Sequence, residues 1–276
     1  MTEKQTTVAP CRLEQFVQPC IDSFIQGDNC KVMRLMPDEC IDLVVTSPPY
    51  DDMRTYGGHS WDFYGVAWNL KRILKPGGVI VWVVADQTKN GNETGTSMKQ
   101  ALFFQELGLN LHDTMIYQVP GTGAKGSNLA YWQVWEYMFV FSKGQPKTVN
   151  RLQDKKNKKA GTVSTSAAKQ HATGTRLHPE GGTVIGEYGY RDNVWVIPSG
   201  NNGDDATDHP APFPEQLAAD HIASWSNEGD LVLDPFSGSG TTCKKAKEMK
   251  RHWIGIEIES SYIGMSEERT RQEILL

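Results

Sequence analysis

Leu231-Val-Leu-Asp234-Pro235-Phe236-Ser-Gly238-Ser239-Gly240-Thr241-Thr242 reads as a buried strand, a glycine turn and the first residues of a helix, and the fold class follows from it. Glycines at 238 and 240 let the backbone bend sharply and come close to a ligand, while the new helix begins with unpaired N–H groups. The turn departs from two common phosphate binders. A dinucleotide fingerprint would place Gly or Ala at 243, where Cys243 stands, and a phosphate-cradling P-loop would need Gly-Lys-Ser/Thr. Glu257 lies 19 residues beyond Gly238, at the end of the next apolar run, and that spacing suits an acceptor for ribose hydroxyls.

Outward from this turn the chain alternates short apolar runs with helical stretches. Strands are expected at 41–46, 79–84, 115–119, 137–141, 193–197, 231–234 and 253–258, because these runs are β-branched or aromatic with little polar alternation. Helices are expected at 61–75, 97–107, 215–226 and 241–250, the first two stopped by Pro76-Gly77-Gly78 and by Gly108. The alternation predicts an α/β protein with an open, mainly parallel, doubly wound sheet. Residues 150–186 break it. They are rich in Lys, Ser, Thr, Gly and Ala with few large apolar side chains, so the composition predicts a mobile insertion.

The 276 residues carry 28 Lys plus Arg against 33 Asp plus Glu, a formal charge of −5 with no chain-wide basic character. The distribution is uneven. Nine basic residues between Lys143 and Arg176 face a single acid, Asp154, so this window holds +8 and the rest of the chain −13. The pattern is an acidic body with one basic arm, or a merely solvated loop. The polar start MTEKQTTVAP and the lack of an apolar run near the ~20 residues of a membrane span predict a cytoplasmic protein without membrane contact. Five cysteines without a C-x-x-C pair argue against disulfides and a zinc knuckle, and no metal is expected.

Asp234-Pro-Phe-Ser-Gly-Ser-Gly-Thr-Thr242 resembles motif I of the amino-methylating DNA methyltransferases, and His209-Pro210-Ala-Pro-Phe213-Pro-Glu-Gln-Leu217 is similar to their motif X. The resemblance implies a Rossmann-like methyltransferase fold that binds S-adenosylmethionine. It assigns His209, Pro210, Phe213, Asp234, Pro235, Phe236, Gly238, Ser239, Gly240, Thr241, Thr242 and Glu257 to that cofactor.

Ser47-Pro48-Pro49-Tyr50 follows the apolar run Asp42-Leu-Val-Val-Thr46, at the end of a strand where α/β sheets bind ligands. Methylation of an exocyclic amine needs such a turn. The nitrogen lone pair is delocalised into the base, and acceptors placed at its two protons favour a pyramidal, nucleophilic nitrogen. Ser47 Oγ and the Pro48 carbonyl are expected to supply them, as preorganised electrostatics. Tyr50 is expected to stack on a base flipped out of the duplex. The tetrad resembles the family's motif IV. Ser in its first place usually accompanies cytosine N4 methylation, whereas Asp or Asn accompanies adenine N6 methylation, which stays the alternative; methylation of RNA or of a protein amide, and a catalytically idle DNA-binding module, are more distant ones. A cytosine-C5 enzyme would need a nucleophilic Cys, and Pro19-Cys20 stands in a polar segment.

The tetrad precedes the cofactor turn with the basic arm between them, an order that resembles the circularly permuted β group of the family. On that reading residues 1–20 are an extension, 21–142 the catalytic half, 143–192 the target-recognition insertion and 193–276 the cofactor half. Gln26-Gly-Asp28-Asn29 resembles motif III and implies Asp28 near the cofactor adenine, and Trp135-Glu136-Tyr137 resembles the motif VIII region beside the flipped base. The resemblance implies double-stranded DNA as substrate, contacted by Lys155, Lys156, Lys158, Lys159 and Arg191, with Tyr188 and Tyr190 either stacking or packing. A cognate restriction endonuclease and a homodimer are further expectations from the resemblance.

Overall fold

The computed structural model describes residues 20–50, 60–121, 131–164, 169–170, 176–177, 183–199 and 213–271. The chain divides into two compact units, 1–150 joined with 194–276, and 151–193. The first unit holds an eight-stranded sheet. Its strands are β1 (Ser23–Gln26), β2 (Ile41–Thr46), β3 (Leu74–Val84), β4 (Asn110–Gln118), β5 (Trp135–Ser142), β6 (Val194–Val196), β7 (Leu231–Asp234) and β8 (His252–Glu257). Six helices accompany them among the described residues: α1 (Asn29–Leu35), α2 (Phe63–Ile73), α3 (Thr96–Glu106), α4 (Glu215–Trp225), α5 (Thr241–Glu248) and α6 (Ser260–Arg271).

The sheet order is β1-β8-β7-β2-β3-β5-β4-β6. All pairings are parallel except those of β5, which runs against both β3 and β4. The expected doubly wound, mainly parallel sheet is therefore found. Alternate residues along the central strands face opposite sides. Ile80, Trp82 and Val84 of β3, Leu231 and Leu233 of β7, and Ile254 and Ile256 of β8 share one buried cluster with Met33, Leu70 and Phe104 from α1, α2 and α3. On the other face α4 packs on β2, and α5 on β7 and β8. Each Leu or Ile buried this way contributes about 1.5–3 kcal/mol.

The helix expected at 61–75 ends at Ile73, and Leu74 already belongs to β3. Neighbouring groups take the helix's last carbonyls: Glu39 N–H binds Arg72 O at 3.1 Å and Cys40 N–H binds Ile73 O at 2.8 Å. Pro76-Gly77-Gly78 is thus not a helix stop. It lies in an irregular stretch of β3, where Gly77 (φ 79°) bonds Lys143 and Lys147, and a Cβ there would come within 2.9 Å of Lys147 Cβ. Gly108 (φ 89°) does end α3, its N–H reaching Gln105 O at 2.9 Å.

Among its described residues the second unit carries three two-residue antiparallel ladders, where composition led to no expectation of regular structure. Lys155–Lys156 pairs with Tyr188–Gly189, Val163–Ser164 with Thr183–Val184, and Lys169–Gln170 with Arg176–Leu177.

Candidate active site

From β2 the chain continues to β3 on one side, and from β7 to β8 on the other, although β2 and β7 are neighbours. Such a switch point opens a crevice beyond the carboxyl ends of the strands. Ser47-Pro-Pro-Tyr50 leaves the end of β2, and the 234–242 turn leaves the end of β7. Thr46 Oγ1 donates to Asp234 Oδ1 at 2.7 Å, tying the two turns together at their bases.

Burial raises the Asp234 carboxyl to about 6, against the opposing pull of the Thr46 hydroxyl, the Phe236 N–H and Thr242. Beyond it the backbone turns through Gly238 (φ 49°) and Gly240 (φ 78°), both left-handed. Gly240 starts α5 with no side chain to cap it, and an added Cβ would lie 2.9 Å from the Phe24 ring and from Ser266 Cβ. Thr242 Oγ1 donates to Val45 O at 3.2 Å. Phe236 is half-buried and meets the Trp61 ring edge to face at 5.0 Å.

Glu257 reaches this turn as its spacing predicts, with its carboxylate already engaged. Oε2 accepts Gly238 N–H at 2.9 Å, and Oε1 accepts the N–H groups of Ile258 at 2.8 Å and Glu259 at 2.9 Å. Three of about four acceptor positions are thereby used by the fold. Asp28 caps α1, accepting Lys31 N–H at 2.8 Å, while the neighbouring Asn29 Nδ2 donates to Pro235 O at 3.1 Å. Asn29, the first residue of α1, thus ties this end of the helix to the glycine turn. Phe213 is half-buried just before α4; His209 and Pro210 lie outside the described residues.

Two residues that motif reading passed over hold the turn in place. Glu215, at the start of α4, takes Lys244, Lys245 and Arg269. Arg269 of α6 in turn donates to Ser239 O at 2.8 Å, Ser239 Oγ at 3.0 Å and Thr241 Oγ1 at 3.3 Å. Burial by itself would raise Glu215, but hydrogen bonds from Lys245 and Lys244 hold it at about 2. Their signal in the sequence was weak, since Arg269 stands 30 residues from Ser239.

Across the crevice Ser47 Oγ lies 2.7 Å from Tyr50 Oη, which donates to Glu136 Oε2 at 2.8 Å. Tyr50 also packs against the hydrophobic core. Pro48 is buried, and among the described residues no hydrogen bond occupies its carbonyl. Glu136 sits on β5 opposite Tyr117 of β4, in the Trp135-Glu-Tyr segment singled out by its sequence.

In the second unit Lys155, Lys156, Lys158 and Lys159 are all exposed. Lys155 pairs with Asp192, and Arg191 pairs with Asp154, whose carboxyl the Arg191 hydrogen bond lowers. Arg151 lies 3.8 Å over the Tyr190 ring. The unit spans eight basic and four acidic residues, because its boundary takes in Glu180, Glu187 and Asp192. Its charge is +4, half that of the window drawn from sequence.

Residues 41–268 match the family described as DNA methylase of the N6/N4 type. The chain belongs to this family. The methyltransferase is 49% identical over 244 residues to the orphan methyltransferase M.BamHII of Bacillus amyloliquefaciens, covering 87% of this chain and 92% of that relative. It is 26% identical over 267 residues to the type II methyltransferase M.BglII of Bacillus subtilis, covering 91% and 69%. Among solved structures, PvuII DNA methyltransferase (cytosine-N4-specific) matches with a TM-score of 0.65 at 20% identity over 92% of this chain and 87% of that one. The M1.HpyAVI–SAM complex matches at 0.58 and 20% identity over 90% and 98%. Both structures share the Rossmann-like fold.

A DNA methyltransferase of this family uses S-adenosylmethionine, and the residues at the switch point fit it. The ligand is a nucleoside without phosphates that carries a sulfonium cation. At the turn the cations Lys244, Lys245 and Arg269 are drawn to Glu215, the ring of Phe236 is half-exposed, and the acids Asp234 and Glu257 stand at the adjacent strand ends. The acceptor position that Glu257 has left for a ribose hydroxyl, an apolar surface and negative charge suit such a ligand. No helix among the described residues is long and apolar enough to cross a membrane.

Proposed function

We propose that the methyltransferase modifies the exocyclic N4 of cytosine in a specific sequence of double-stranded DNA, with the target base flipped out of the helix. One observation carries the reading: the S-P-P-Y turn and the glycine turn leave adjacent strand ends and are joined by the Thr46–Asp234 bond. Bound S-adenosylmethionine supplies an electrophilic methyl group. Ser47 Oγ and the Pro48 carbonyl accept from the two amine protons and aim the nitrogen lone pair, and Tyr50 helps to shape the pocket for the base. The nitrogen that takes the methyl group releases its surplus proton to solvent, and Ser47 Oγ and the Pro48 carbonyl hold it until then. Asp234 and the 235–242 turn hold the cofactor with Phe213, Glu257 and Asp28, and the resemblance to motif X adds His209 and Pro210 to the residues that bind it.

Ser at the head of the tetrad favours cytosine, and the neighbour with a TM-score of 0.65 is described as cytosine-N4-specific. The order of the two turns supports membership of the circularly permuted β group. Lys156, Lys158 and Lys159, with Lys155 and Arg191, contact phosphate, and the enzyme works in the cytoplasm in association with DNA. The relative at 49% identity is named an orphan methyltransferase, and a nuclease partner is no part of the proposal. Nucleoside mass spectrometry of DNA treated with enzyme and S-adenosylmethionine tests it: N4-methylcytosine is expected, and N6-methyladenine alone would overturn the target.

A further inference from the structure

We infer that Glu136 is a positioning residue that acts through Tyr50 to keep the Ser47 hydroxyl a hydrogen-bond acceptor toward the target amine; the inference rests on the reading of Ser47 proposed above. Tyr50 Oη is 2.8 Å from Glu136 Oε2 and 2.7 Å from Ser47 Oγ. A phenol has one proton, and an ionised carboxylate only accepts. The Tyr50 proton therefore goes to Glu136, and the Tyr50 oxygen must take the proton of Ser47. With that proton committed, Ser47 Oγ turns only lone pairs to the crevice.

The direction matters because a hydroxyl is both donor and acceptor. A Ser47 free to rotate would spend part of its time with its proton toward the base, where it repels the amine protons or binds the lone pair that must attack. A carboxylate at the same place would accept without help. A serine needs its proton drawn away, and the chain Ser47–Tyr50–Glu136 does this through two hydrogen bonds that polarise one another. Glu136 is set for the task by β5, which runs antiparallel beside β3 and brings a residue 86 positions from Tyr50 to its hydroxyl. No proton moves along the chain during the reaction. Its role is to fix an orientation, so the charge of Glu136 is felt at the amine without touching it.

The test is single-turnover methylation at saturating cofactor and DNA for Tyr50→Phe, Glu136→Ala and the double variant, with S-adenosylmethionine affinity and melting temperature measured on each. Each single variant should slow the reaction by roughly tenfold to a hundredfold. The double variant should be no slower than the worse single one, and cofactor affinity should stay within about twofold of wild type, because residues acting as one unit are not additive. Multiplying losses, or a wild-type rate in Tyr50→Phe, would overturn the inference. Glu136→Gln, which keeps shape and an acceptor oxygen, should recover part of the rate and replaces Glu136→Ala if that variant does not fold; a rate equal to wild type in both Glu136→Gln and Tyr50→Phe also overturns the inference. Ser47→Ala separates the two levels. A wild-type rate there defeats the amine-site reading itself, whereas a slow Ser47→Ala beside unimpaired Tyr50→Phe defeats only the relay.

Discussion

Asp234 sits among apolar neighbours at the end of β7 with two hydrogen bonds to its Oδ1, a position that costs it ionisation. Its folded value of about 6 lies above the ordinary 3.8, so the folded state holds the proton more tightly than the unfolded chain does. The stability it contributes is full below pH 3.8 and is lost as pH rises through about 6, a fall of about 3 kcal/mol. Asp234→Asn keeps an acceptor for Thr46 and the Phe236 N–H without the charge. Urea unfolding of the cofactor-free protein should therefore show the variant gaining on wild type by about 2 kcal/mol between pH 4 and 7; parallel stability curves would refute this. Of the residues at the site, Ser47, Asp234 and Glu257 were legible because each ends an apolar run. Asn29 and Glu136 stood inside stretches that the sequence singled out, but their bonds were not legible, since each is made to a partner 206 or 86 positions away.

At the scale of elements, the network around Glu215 fastens α4, α5 and α6 behind the glycine turn. Glu215→Gln keeps one acceptor oxygen and loses the charge shared by two lysines and an arginine, a cost of about 1–3 kcal/mol at pH 7. Because the Glu215 value is held at about 2, below the ordinary 4.5, its contribution is present above pH 4.5 and lost as pH falls through about 2. Urea midpoints at pH 7 and pH 3 should then differ between wild type and variant by less at the lower pH. The strands β2 and β7 were readable to the residue and the other expected strands to within five, because burial on both faces leaves an uninterrupted apolar run. Missed were β1, four residues at the sheet edge of which three are half-buried and Gln26 is exposed, α1, only seven residues long, and α6, whose first half Ser-Ser-Tyr-Ile-Gly-Met has no clear apolar stripe. Leu74 was misassigned because helix and strand meet there without a loop, and only carbonyl partners from 39–40 mark the boundary.

For the whole molecule, the question is which charges of the 151–193 unit are available to DNA. Lys155 and Arg191 have acidic partners in the same unit, while Lys156, Lys158 and Lys159 are exposed and have no ion pair among the described residues. Replacing those three with Gln should weaken DNA binding and reduce the slope of log affinity against log salt by about 0.9 for each phosphate that is no longer neutralised. S-adenosylmethionine affinity should not change. An unchanged slope, measured by titration from low to moderate salt, would make these lysines a solvated face.

By itself the sequence determined the class of fold and the two turns that matter, because a doubly buried strand followed by glycines or prolines is a local signal carried by a dozen residues. It also located the basic arm. Only the tertiary structure decided that β2 and β7 are neighbours at a switch point, that Asp234 is buried against Thr46, and that Tyr50 is bonded to both Ser47 and Glu136. It also engaged two cations of the arm by bringing Asp154 to Arg191 and Asp192 to Lys155. The physical reason is the same throughout: propensity and pattern act over a few residues, whereas desolvation and the direction of a hydrogen bond depend on which distant groups the sheet order brings together.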